Sequence, residues 1–285
     1  MGTTIREARR SDKAPLMSFI KDIWGGHDYI PKVWDEWLRD KGAKMFVAEV
    51  DGRPVAMNRV RFMEDGSAWL EGVRVHPEFR RMGLASMLGR NSMNIALRRG
   101  IRLYRLTSGS ANKPAHKQVA KMGFKAVARM SVYISGEKAR FSQQKGVRRA
   151  KKEDVPALER AIRKSKEYAI GSGVYWDSFT ATSMTPHVLA RLAEEGSVYL
   201  SESAVAIAKL GGEGSDRWRQ VCFATGTPED IMRVVGHVFG KKEKWRASRK
   251  WVYAPSRTPL VSALSKAGFR RWGTLLLFEA RAPKS

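Results

Sequence analysis

Residues 69–85 read WLEGVRVHPEFRRMGLA, and they include the side chains best suited to chemistry. An alternating strand ends at His76-Pro77, and a basic, glycine-bearing loop follows: Arg80, Arg81, Met82, Gly83, Leu84, Ala85, Ser86. A helix is expected to begin inside that loop. The first backbone N–H groups of a helix have no internal acceptor and sit at the positive end of its dipole, so the arrangement suits a phosphate-type anion. Gly83 lets the backbone approach such an anion, Ala85 is too small to block it, and Arg80 and Arg81 add charge. On its own the fragment also describes an ordinary strand-to-helix turn.

Two further groups could do chemistry. Glu71 is the only acid on the expected strand 67–75, and strict alternation puts it on the face of Val73. It reads equally as a general base and as a salt-bridge partner of Arg59 or Arg61. Upstream, Trp24, Gly25, Gly26, His27, Asp28, Tyr29, Trp34 and Trp37 place two glycines among aromatics. There Trp24 and Tyr29 suit an apolar or imidazole group, Asp28 suits an ammonium, and Arg59, Arg61 and Arg74 suit a carboxylate. The alternative is an ordinary aromatic core beside a turn.

The elements that would position these residues are mixed. Strands are expected at 4–9, 44–50, 54–63, 67–75, 102–107 and 126–134, with Asp65-Gly66 as a hairpin turn. Helices are expected at 12–24, 31–38, 83–98 and 114–122, the second opened by Pro31. The order is a three-strand meander followed by alternating strands and helices.

The pattern [QR]-x-x-G-x-[GA] is met by Arg80, Gly83 and Ala85. It follows a V-x-V-x-P strand end, and Asn112 and a helix ending in Gly123-Phe124 come later. Together these residues resemble the acetyl-CoA signature of the GNAT acyltransferase superfamily, across residues 3–135. More narrowly, residues 23–40 and 70–77 are similar to the histidine N-acetyltransferase-like two-domain family. The resemblance implies a mixed αβ fold with a splayed central sheet, and direct acetyl transfer from acetyl-CoA to a primary amine without a covalent enzyme intermediate. It implies that Val73, Arg74 and Val75 face the pantetheine arm, that Arg80 and residues 81–86 hold the pyrophosphate, and that Asn112 meets the arm from the other side. Many members have a Tyr four residues before the Gly-Phe pair, placed to protonate the leaving thiolate. Here that position is Val119, and His116 and Ser108 are possible substitutes.

The chain also repeats itself. IREARRSDKAPLMSFI from Ile5 returns as VRRAKKEDVPALERAI from Val147, and KMGFKAVARMSVYI from Lys121 returns as KAGFRRWGTLLLFE from Lys266. A catalytic domain at 1–141 and a degenerate GNAT-like domain at 146–285 are therefore expected. In the second copy ATGTPE, from Ala224, stands where the phosphate loop should be, and it has no arginine pair. Thr227-Pro228-Glu229-Asp230 reads as a helix cap whose acids repel phosphate, so this half is expected to bind no acetyl-CoA. Tyr175, Trp176 and Asp177 are candidates for the wall of an acceptor pocket.

The formal net charge is +25, with 16 basic residues and one acid, Glu137, within residues 98–152. Such a field attracts nucleotides, acidic proteins or nucleic acid, or it is a solvated surface. The single cysteine, Cys222, excludes an internal disulfide, and no Cys/His spacing suggests a metal. No run is apolar enough for a membrane span, and the N-terminus reads as no signal peptide, so a cytoplasmic monomer or homodimer is expected. A free amino acid or small amine is the favoured acceptor, with histidine among the possibilities. A protein or peptide acetyltransferase and a non-catalytic nucleic-acid- or CoA-binding module are the alternatives.

Overall fold

The computed structural model describes residues 2–136, 141–142, 144–211, 218–240, 249–256 and 258–283. The chain divides into two compact units. The first comprises Met1–Leu106, Asn112–Lys125 and Phe278–Ser285; the second comprises Thr107–Ala111 and Ala126–Leu277. The sequence repeat suggests a boundary at 141–146, whereas the units interleave.

The first unit opens with β1 (Thr3–Glu7), α1 (Lys13–Ile20) and α2 (Ile30–Arg39). The helix expected at 12–24 stops at Ile20. Gly25 and Gly26 both have positive φ, which an α-helix cannot carry, and Ile23–Gly26 form a 3₁₀ turn. Then come β2 (Ala43–Val50), β3 (Arg53–Phe62) and β4 (Ser67–Val75), a meander in which β1 pairs antiparallel with β2, β2 with β3 and β3 with β4. α3 (Leu84–Arg98), β5 (Leu103–Gly109) and α4 (Lys113–Ala120) follow. Leu16, Phe19 and Ile20, at helical spacing, pack with Ile30, Trp34, Trp37, Met45, Val47 and Met57 as one core.

β5 runs parallel to β4 only from Ser67↔Leu103 to Trp69↔Arg105. Buried Arg105 fixes that junction: Nη1 donates to Oδ2 of Asp65 in the hairpin turn and Nε to Oε1 of Glu279, both at 2.7 Å. The amide of Ala282 donates to the Arg102 carbonyl at 2.9 Å. The end of the chain thus completes the sheet of the first unit.

The second unit contains β6 (Lys125–Ser135, from Ala126 on), β7 (Arg148–Arg149), α5 (Val155–Arg163), α6 (Lys166–Ile170), β8 (Val174–Asp177), β9 (Thr180–Ser183) and α7 (Pro186–Glu194). β10 (Val198–Leu200), β11 (Val205–Gly211), β12 (Trp218–Thr225), α8 (Pro228–Gly240), β13 (Arg249–Pro255), α9 (Pro259–Lys266) and most of β14 (Phe269–Arg281) complete it. Its strand order is β14-β6-β13-β12-β11-β10-β7, with β8 and β9 as a separate hairpin. β6 belongs here because it pairs antiparallel with β13, Trp251↔Ile134 through Pro255↔Met130.

A shared clasp marks the repeat. Arg6 grips Asp12 by two hydrogen bonds of 2.7 and 2.8 Å, and Asp12 accepts the Arg9 amide at 2.6 Å. In the second copy Arg148 grips Asp154 at 2.7 and 2.8 Å, and Asp154 accepts the Lys151 amide at 2.8 Å. Bidentate arginine–carboxylate pairs of this kind hold strand and helix in fixed geometry.

Candidate active site

The loop after β4 has the backbone a phosphate cradle needs. Pro77–Phe79 form a 3₁₀ turn, and Arg80, Arg81, Met82 and Gly83 are exposed. Arg81 has φ +68° and Gly83 φ +80°, so left-handed residues interrupt the run twice before α3. Alternation of backbone handedness turns successive N–H groups toward one side, making a concave nest. Gly83 is the N-cap and has no side chain to cap the helix; its carbonyl accepts the amides of Ser86 and Met87, both at 3.0 Å. The amides of Leu84 and Ala85, in the first turn, have no helical acceptor available. A Cβ built on Gly83 would have no atom within 4 Å, so the space in front of the cradle is open and φ is what reserves the position for glycine. These features fit the diphosphate of a coenzyme. Met82 and Met87 are exposed, while Leu84 is buried as the anchor of the helix.

β4 carries an irregularity that the sequence reading missed. Its register with β3 shifts between Met57↔Arg74 and Arg59↔Glu71, leaving one extra residue on β4. Gly72 sits there with φ +70°, and a Cβ at this position would lie 2.7 Å from the Trp37 ring. Glycine is thus required twice, by conformation and by the indole. The bulge breaks the expected alternation, so Glu71 does not continue onto the face of Val73. Val73 is 36% exposed, whereas Arg74 is buried and, with Glu71 and Asp28, acts electrostatically on Tyr29. An isolated glycine within a strand pattern was the available signal.

The charged residues proposed for catalysis and acceptor binding are engaged with one another. Glu71 Oε1 accepts from Arg59 Nη1 at 2.6 Å and pairs with Arg61 Nε at 2.9 Å; Oε2 accepts from Arg61 Nη2 at 3.3 Å. Arg59 is 5% exposed, also binds Asp40, and lies 4.7 Å above the Trp37 ring. It is a buried strut and not an open carboxylate receptor. Asp28 is 5% exposed, with Oδ2 2.5 Å from Arg74 Nε and Oδ1 accepting from Arg74 Nη2 at 3.1 Å and from the Ile30 amide at 3.0 Å. Its oxygens are taken up in fixing Arg74 and the start of α2, so it does not face an acceptor ammonium. Tyr29 is 42% exposed, its ring 5.6 Å from the Arg74 guanidinium and in edge contact with Trp37. Burial of its hydroxyl, resisted by Arg74, raises the phenol above its ordinary value. The Trp24 side chain lies outside the described residues.

Asn112 caps α4, with Oδ1 accepting the Ala115 amide at 3.3 Å. Val119 is buried, so no hydroxyl is offered from that turn. His116 packs against Phe278, ring centroids 5.1 Å apart, and belongs to the first unit, whereas Ser108 falls in the second.

The second copy differs at the equivalent places. At the start of α8, Asp230 accepts the Ser203 amide at 3.2 Å and the Ser203 hydroxyl, while Thr227 Oγ1 accepts the Asp230 amide at 3.3 Å. Chiefly the Ser203 hydroxyl holds Asp230 below the ordinary carboxylate value. Tyr175 and Trp176 are core residues of this unit and not wall residues. Trp176 is fully buried and stacked on Tyr253 at 6.2 Å, and Tyr175 packs with Leu189, Val205 and Phe223. Asp177 is tied to Gln220 at 2.6 Å and Lys209 at 3.2 Å. Among the described residues no group of three or more His, Cys, Asp or Glu could hold a metal, and no helix is long and apolar enough to cross a membrane.

Comparison with known proteins agrees with this geometry. The Acetyltransferase (GNAT) family matches residues 9–124. Histidine N-acetyltransferase of Oreochromis niloticus is 34% identical over 88 residues, 30% of this chain and 26% of that protein. Histidine N-acetyltransferase of Xenopus tropicalis is 28% identical over 122 residues, 42% of this chain and 36% of that protein. The chain thus spans about a third of these relatives' length. The structure of a GCN5-related N-acetyltransferase from Sphaerobacter thermophilus superposes with a TM-score of 0.64, covering 99% of this chain and 97% of that one at 14% identity. That match shows a shared fold along both units. The family match lies over the nest, the bulged strand and α3, so it is residues 9–124 that resemble the Acetyltransferase (GNAT) family.

Proposed function

We propose that the protein is an acetyl-CoA-dependent N-acetyltransferase acting on a free amino acid or small amine. The observation that carries this is the open, left-handed nest at 81–83 leading into α3, flanked by Arg80 and Arg81. Arg80, Arg81 and the amides of Met82, Gly83, Leu84, Ala85 and Ser86 bind the diphosphate. Val73, Arg74 and Val75, just past the bulge, offer backbone groups to the pantetheine arm, and an N–H there polarises the carbonyl as an oxyanion donor. Asn112, whose Nδ2 has no partner among the described residues, meets the arm from the α4 side. Acetyl-CoA supplies an acetyl thioester with a good leaving group.

The acceptor amine must lose a proton before it attacks. Glu71 is the carboxylate assigned to this step. Because both its oxygens already accept from arginines, it acts through water. Its neighbour Arg61 keeps partly exposed polar surface suited to an amino-acid carboxylate. The likeness to proteins named histidine N-acetyltransferase is the reason to try histidine first among acceptors.

The test is thiol release from acetyl-CoA with free amino acids, amines and short peptides, histidine included. Turnover with a free amino acid or amine is expected; turnover with peptides alone would overturn the acceptor class. CoA binding without turnover on any acceptor would overturn the catalytic reading. Glu71→Gln is expected to lower kcat about tenfold or more with CoA affinity unchanged. Unchanged kcat removes Glu71 from the mechanism.

A further inference from the structure

A second cavity lies wholly within the second unit and is separate from the coenzyme cradle in its residues. It has about 330 Å³ of interior space, within the size range of small-molecule sites. Its cationic lining comes from two strands, Arg149 on β7 and Arg219 on β12, while Lys209 on β11 turns its ammonium away to Asp177. Tyr199 and Ser197 add a ring and a hydroxyl, and Glu195 is the one carboxylate. That carboxylate is drawn to Arg191 on its own helix.

The cations are held differently. Arg219 is buried, and Nη1 donates to the Val238 carbonyl at 2.7 Å. Lys209 pairs with Asp177 at 3.2 Å and lies 5.7 Å from the Tyr175 ring; burial opposes its charge, but Asp177 outweighs it and the ammonium stays above its ordinary value. Among the described residues Arg149 is committed to no side-chain acceptor. Its guanidinium lies 5.8 Å from the Tyr199 ring centroid, and a Cβ built on Gly196 would come within 3.1 Å of Nη1. Gly196 also has φ +66°. A ring on one side and a bare backbone on the other therefore position a guanidinium whose donors have no carboxylate among the described residues. Five N–H donors in a fixed fork match the oxygens of a phosphate or carboxylate.

We propose that this cavity is a binding site for a small multivalent anion, a phosphate compound or a polycarboxylate, gripped by Arg149 and supported by Arg219. The proposal does not rest on the acetyl-transfer reading. It does not follow from net charge alone, because it rests on one guanidinium placed between the Tyr199 ring and the bare backbone of Gly196.

The experiment is calorimetric titration of the full-length protein with inorganic pyrophosphate and, separately, citrate, in the absence and presence of saturating CoA. Binding of at least one anion is expected to persist with CoA bound and to weaken about tenfold or more in Arg149→Ala, with Arg149→Gln as a second variant. Arg149 is exposed, so both variants should melt like the parent. The preferred anion shows whether the phosphate or the carboxylate source is meant. Equal affinity in parent and both variants, or no binding of either anion, overturns the proposal. So does binding abolished by CoA or by Arg81→Glu but indifferent to Arg149, which assigns the anion to the cradle.

Discussion

The two copies in this chain begin alike and diverge where a coenzyme would be gripped. Each opens with an arginine clasping an aspartate six residues on, Arg6 with Asp12 and Arg148 with Asp154. Yet the first copy leaves the head of α3 uncapped and basic, while the second fills the head of α8 with Asp230, Ser203 and Thr227. Likewise β4 ends in a glycine bulge with Val73 outward, whereas β12, which pairs with β13 up to Val221↔Val252, has Trp176 packed beside it against Tyr253. The same opening therefore persists with a capped helix head in place of an uncapped one. Capping and core filling supply from within the protein the hydrogen bonds and packing that a ligand otherwise provides.

The comparison can be broken in several ways, and the largest effect is expected in the filled copy. Trp176→Ala should destabilise the second unit by about 3–5 kcal/mol through the cavity it leaves, seen as an early transition in denaturant unfolding. A loss under about 1 kcal/mol would mean the indole is not a core filler. Next, Arg81→Glu should weaken CoA binding about a hundredfold, near 2.7 kcal/mol, while Asp230→Ser should create no CoA binding. CoA binding gained by Asp230→Ser would show that the second site is merely plugged.

The paired clasps come third. Burial pushes Asp12 up, but hydrogen bonds from Arg6 outweigh it, so its carboxyl sits below the ordinary value. A lowered folded value means a contribution present above the unfolded pKa and lost as pH falls through the folded one. Asp12→Asn should accordingly cost about 2 kcal/mol at neutral pH and much less below the ordinary carboxylate range. The clasp at Asp154 is solvated, so Asp154→Asn should lower the melting temperature less. Equal shifts would mean burial does not separate the two. Smallest is Asn112→Ala, which removes the α4 cap for about 1 kcal/mol and should raise the KM for acetyl-CoA a few-fold. An unchanged KM would confine Asn112 to capping.

The parts legible in the sequence are those set by local rules. The order of elements in the first copy followed from hydrophobic period and turn residues, most boundaries falling within a residue or two. The start of α3 was readable because Gly83 stands between a strand pattern and a helix pattern, where a positive φ is easily taken. What escaped notice was non-local or depended on a single backbone angle. Asp28 and Arg74 are 46 residues apart, and nothing in either stretch announces their pairing. Arg81 adopts a left-handed backbone that arginine seldom chooses, so its type gave no hint. Gly72 did give a hint, as a lone glycine in a strand, and it moves Arg74 rather than Val73 to the side of Glu71. The interleaving of the units was invisible because strand partners are chosen by tertiary packing and not by sequence order.

That interleaving affects how the protein can be divided. The strand edge beside Arg102 and Arg105 is completed by Glu279 and Ala282, more than 170 residues further along the sequence. A fragment cut at the repeat boundary keeps every cradle residue but lacks the segment that pairs with this edge. It would expose an unpaired edge prone to self-association.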